Sequence, residues 1–73
     1  MAVDWNVEYQ DPHSTFGAGG REVHVVDVHF VITSEPALGE RGFISVEESR
    51  YGPDIVKSLI DDRVAAIKAV HSL

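Results

Sequence analysis

The sequence predicts an α+β domain: a three-stranded antiparallel meander followed by one C-terminal amphipathic helix packed on one face of the sheet. Three observations carry this expectation. Residues 23–34, VHVVDVHFVITS, form the longest β-branched run in the chain. Shorter alternating stretches lie on either side of it, each set off by a glycine- and proline-containing connection. After Pro53 the apolar spacing changes from a period of two to the period of a helix, and strand and helix are told apart by that change.

The size and composition set bounds on this fold. Seventy-three residues, 44% of them apolar and 25% charged, make one ordinary globular domain near the lower size limit for a self-sufficient core. With no cysteine in the chain, disulfides, thiolate metal sites and cysteine nucleophiles are all excluded. A small core without such staples often gains its missing burial by self-association.

The first strand is expected over residues 2–10. Val3, Trp5, Val7 and Tyr9 alternate with Asp4, Asn6, Glu8 and Gln10, the pattern of a half-buried strand. An opening with this alternation and an acid at position 4 does not read as a signal peptide. No apolar run approaches the roughly 20 residues that a membrane-spanning helix needs. The expected setting is therefore cytoplasmic, or within a soluble assembly, with no membrane partner.

Residues 11–20, DPHSTFGAGG, are expected to be a flexible glycine-rich loop. A phosphate-binding loop would need a lysine and a hydroxyl residue opening a helix directly after the glycines. Here Arg21 and Glu22 lead into a strand instead. Phe16 is the odd residue of this loop. It is expected either to tuck back on the sheet or to dock on a neighbouring molecule.

The second strand is expected over residues 22–34. His24, Val26, Val28, Phe30 and Ile32 make the better core face, and Val23, Val25, Asp27, His29 and Val31 make a mixed face opposite it. Residues 35–42 carry Pro36, Gly39 and Gly42 and read as a turn region. The third strand follows over 42–49, joined to the second as a hairpin. The first strand could alternatively pair elsewhere, because the connection before the second strand is long.

The helix is expected over residues 53–72. Proline suits the first helical position, and Asp54 meets the positive end of the helix dipole. At 100° per residue, Ile55, Val56, Leu59, Ile60, Ala66, Ile67, Val70 and Leu73 gather on one side. Arg63 falls near the centre of that stripe. Its stem is expected to pack while its head reaches past the sheet edge, or else to pair with an acid of a strand or of a neighbouring subunit.

Little in the chain points to chemistry. The net charge is −6, and the excess acid lies wholly in residues 1–52, where nine acids face three bases. Nucleic acid is not an expected partner, since binding phosphate takes clustered Lys and Arg. His24 and His29 are an odd number of residues apart and so point to opposite faces. Asp27 and His29 share a face about 7 Å apart, a spacing at which a carboxylate could orient an imidazole, but no nucleophile accompanies them. Glu47–Glu48 and Asp61–Asp62 are adjacent acids that diverge from one another. No catalytic residue, metal site or cofactor is expected.

The functional expectation is a non-enzymatic structural or protein-interaction subunit, part of a homo-oligomer or a larger assembly such as an accessory subunit of a virus-like particle. Its expected contact surface comprises Val23, Val25, Asp27, His29 and Val31 of the mixed face, with Phe43, Phe16 and Arg63. The alternative is a small acidic module that recognises a basic partner. A third reading, an enzyme, would need a site assembled between subunits around Asp27 and His29.

Overall fold

The structure, a computed structural model, describes residues 4–73. Strand β1 is Trp5–Phe16, β2 is Glu22–Ile32, β3 is Arg41–Glu47, and helix α1 is Pro53–His71. Single 3-10 turns at Ala18–Gly20 and Glu48–Arg50 join β1 to β2 and β3 to α1. The sheet order is β1-β2-β3 with both pairs antiparallel, and α1 lies across one face. This is the α+β meander expected from the alternation. The expected start of the first strand, at Ala2 and Val3, lies outside the described residues.

The first connection is shorter than its composition implies. Residues 11–16 continue β1 instead of entering a loop, and they pair with 22–27 to the end of the hairpin. Pro12 is tolerated because β1 is an edge strand with one side unpaired. The glycines make the turn itself: Gly19 and Gly20 hold φ of 76° and 74°, a left-handed backbone that glycine adopts without a Cβ clash. The Gly17 amide closes the turn on the Arg21 carbonyl at 2.8 Å.

A bulge in β1 divides the first strand between two faces. Val7 stands opposite Phe30 and Tyr9 opposite His29, so Glu8 is an extra residue without a partner of its own. Trp5 and Val7 therefore face the helix, whereas Tyr9 turns to the other side. Strict alternation places all three together. One added residue moves every later side chain to the opposite face.

The core forms between the even-numbered side chains of β2 and the helix. Val28, Phe30 and Ile32 pack with Ile44 and Val46 of β3, Ala37 of the second connection, and Ile60 and Val64 of α1. Trp5, Val26, Val56 and Ile67 close its margins. Phe30 and Gly42 are direct partners across the ladder. A Cβ on Gly42 would meet the Phe30 ring at 2.9 Å, so this glycine makes room for the largest core side chain.

Helix α1 is turned about its axis relative to the position its apolar stripe implies. Ile60 and Val64 are buried and Val56 and Ile67 partly so, but Ile55, Leu59 and Val70 of the same stripe are 47%, 38% and 68% exposed. Two polar contacts hold the opposite flank down. Trp5 Nε1 donates to Asp61 Oδ1 at 2.7 Å, and Lys68 Nζ reaches Ser34 Oγ and, at 3.5 Å, Asp4. Arg63 consequently sits on the exposed half of the helix and not over the core.

Candidate functional site: the open sheet face

The sheet face away from α1 gathers most of the residues expected to form a contact surface. Val23, Val25, Asp27, His29 and Val31 are successive outward positions of β2, and Phe43 stands opposite His29 on β3. Phe16 does not join them. Its parity after the bulge places it on the helix side, at the hairpin tip, where it is 76% exposed. It therefore does not tuck back on the sheet. Arg63 is also elsewhere, on α1 beside the outer edge of β3. The eight expected residues thus divide among three regions of the surface.

One row across this face is aromatic. Tyr9 stacks on His29 with ring centroids 4.2 Å apart and planes inclined by 12°. His29 in turn faces Phe43 at 5.4 Å and 27°. The imidazole thus lies between two rings that are each about half exposed, Tyr9 at 57% and Phe43 at 50%. Tyr9 reaches the row only because of the bulge at Glu8, which is why simple alternation does not disclose the pairing.

The neighbouring rows are polar and internally paired. Ser45 Oγ donates to Asp27 Oδ1 at 2.5 Å, and His13 Nε2 meets Asp27 Oδ2 at 2.8 Å. The Ser45 hydroxyl first, and then His13, hold the Asp27 carboxyl below its ordinary 3.8, because both stabilise the anion. The bond to Asp27 raises His13 above 6.5, helped by the Ser14 carbonyl near its other nitrogen. Asp27, and not the imidazole, stands in the middle of this trio. A proton relay that activates a hydroxyl needs the imidazole between the other two groups. On the far side of the aromatic row, Arg41 Nε donates to Glu8 at 3.0 Å.

His13 and Ser45 had no visible signal in the sequence, since their partnership with Asp27 depends on the register of both hairpins. Val25 differs from its neighbours: at 8% exposure it is covered by the residues around it and offers little contact area.

The other imidazole cluster lies near the hairpin tip. Ser14 Oγ is 3.1 Å from His24 Nδ1, and His24 Nε2 is 3.4 Å from Glu22. Here hydroxyl, imidazole and carboxylate do follow in relay order. However, the His24 and Glu22 side chains are 62% and 59% exposed, so water competes for every member. The adjoining hollow of about 520 Å³ is lined by His24, Arg21 and Glu22 with Glu47 and Glu48, where β2 runs past the end of β3. Among the described residues, no three His, Asp or Glu side chains are grouped to hold a metal ion. Also among them, no helix is long and apolar enough to cross a membrane.

No protein-family model, no curated protein and no solved structure matches this chain.

Proposed function

We propose that the protein is a non-enzymatic interaction subunit of a homo-oligomeric assembly, with the open sheet face as a contact surface against another subunit. The observation that supports this reading is the Tyr9–His29–Phe43 row. It is a preassembled stack of three rings, half in solvent, and rigid aromatic side chains give contact area at little entropic cost. The flanking Asp27 and Arg41 are already partnered within the chain. They can therefore be covered without leaving an uncompensated charge, which is the usual obstacle to burying such groups. The relay-order cluster at Ser14 remains in water and lacks the desolvation that makes such groups reactive.

A module that recognises a basic partner is less well supported. Asp4, Glu8, Asp27, Glu40 and Asp61 each meet a base of the same chain, which reduces the free acid available to a ligand.

The test is sedimentation equilibrium of the chain and of a Tyr9→Lys, Phe43→Lys variant. The reading expects the unmodified chain to reach a mass above that of one 8.0 kDa copy. The variant should fold and assemble to a lower mass. An unmodified chain that stays a single copy at every concentration, or a variant of unchanged mass, overturns it.

A further inference from the structure

We infer that a second copy of this chain docks along the outer edge of β3 and the exposed half of the α1 stripe, about a single twofold axis. The inference deepens the homo-oligomer reading but uses a surface other than the open sheet face.

Strand β3 is an edge strand, and its unpaired side carries free backbone donors and acceptors. The opposite edge, β1, is interrupted by Pro12 and by the bulge at Glu8, both of which blunt strand addition. Strand β3 has neither a proline nor a bulge over Arg41–Glu47.

Its sequence is also self-complementary. Antiparallel pairing of two copies about Ile44 sets Arg41 opposite the partner's Glu47, at both ends of the ladder. Opposite charges facing each other across strands stabilise a register. Arg41 meets Glu8 through Nε, and its guanidinium has further donors beyond that one.

The helix carries the same symmetry independently. A shallow groove brings Ile44 and Ser45 together with Leu59, Asp62, Arg63 and Ala66, so the middle of α1 lies beside the middle of β3. Antiparallel packing of two helices about the point between Asp62 and Arg63 pairs Leu59 with the partner's Ala66 and Ile55 with the partner's Val70. Asp62 then meets the partner's Arg63. A large residue against a small one on each side, with an ion pair at the centre, is what a twofold contact requires of one sequence.

The spacing is compatible. Helix α1 packs on residues of both β2 and β3, which places its axis about 5 Å from the twofold at a strand separation of about 4.8 Å. Two such helices lie about 10 Å apart, at the upper end of the normal interaxial range. The product is a continuous six-stranded sheet with two antiparallel helices on one face. It covers the half of the stripe that one chain leaves in water.

The test joins cross-linking to charge exchange. The chain has no cysteine, so Leu59→Cys and Ala66→Cys variants can be oxidised separately and as a mixture. The mixture should form a disulfide-linked heterodimer faster than either variant alone cross-links. By sedimentation, the unmodified chain should show a concentration-dependent doubling of mass. Asp62→Arg and Arg63→Asp should each weaken dimerisation about tenfold or more, and the double variant should restore it. Circular dichroism establishes that each variant is folded, which is expected at these exposed positions. A chain monomeric at all concentrations, a mixture that links no faster than its components, or a double variant that stays dissociated overturns the inference. Tyr9→Lys separates this contact from the open face: the dimer should survive it. A dimer abolished by Tyr9→Lys and unaffected by Asp62→Arg would place the contact on the open face and reject the one inferred here.

Discussion

Trp5 and Asp61, 56 residues apart, are joined by a 2.7 Å hydrogen bond from the indole nitrogen to a carboxylate oxygen. The bond ties the start of β1 to the middle of α1 and brings Asp61, a polar-face residue by helical period, partly under cover. It is one reason that Ile60 and Val64, and not Leu59, occupy the core. Lys57 from one turn earlier, and then Trp5, hold the Asp61 carboxyl below its ordinary range.

Trp5→Phe keeps an aromatic ring at the core margin, gives up part of the indole's volume and removes the donor. It should lower the melting temperature by about 5 °C. Asp61→Asn, which still accepts from the indole, should cost less than Asp61→Ala. A thermal melt that does not distinguish Trp5→Phe from the unmodified chain would show that the bond does not orient the helix.

The rotation of α1 predicts opposite outcomes for neighbouring substitutions. Ile60→Asp puts a charge into a fully buried position and should cost more than about 4 kcal/mol, enough to unfold a domain of this size. Leu59→Asp falls on the exposed half of the stripe and should cost about 1 kcal/mol. Urea denaturation of the two variants, at a concentration where the chain is monomeric, checks this. Similar losses for both would mean that the helix is seated on the centre of its stripe.

Gly42→Ala should destabilise by about 1–3 kcal/mol, because the added methyl would meet the Phe30 ring at 2.9 Å. The companion substitution Phe30→Leu in the Gly42→Ala background should recover part of that loss. Additive costs in the double-mutant cycle would show that the two residues are not in contact.

The His13–Asp27 pair predicts a pH window. His13 titrates above 6.5 in the folded chain, so its contribution is fully present below that value and is lost as pH rises through the raised pKa. Asp27 titrates below 3.8, so its contribution is present above that value and is lost as pH falls through the lowered pKa. The difference in melting temperature between the unmodified chain and His13→Gln should therefore be largest between about pH 4 and 6.5. It should shrink on both sides of that window. A difference independent of pH would assign the effect of His13 to packing instead of charge.

The element types, their order and the core face of β2 were legible in the chain before folding was considered. Each of these follows from local periodicity: Val28, Phe30 and Ile32 repeat every second residue, and the spacing changes at Pro53. Local pattern also excluded disulfides and thiolate chemistry, because no cysteine is present. Features that depend on partners distant in sequence emerge only in the folded chain. Glu8 becomes a bulge only when Val7 and Tyr9 find Phe30 and His29, and that single slip transfers Tyr9 to the open face and creates the aromatic row. Residues 11–16 look like a loop by composition, yet pairing with β2 draws them into a strand, since a ladder satisfies backbone groups whatever the side chains. The stripe of α1 is broader than the core it covers. Which half is buried was settled by Trp5, Ser34 and Asp4 holding one flank, contacts that no helical wheel contains.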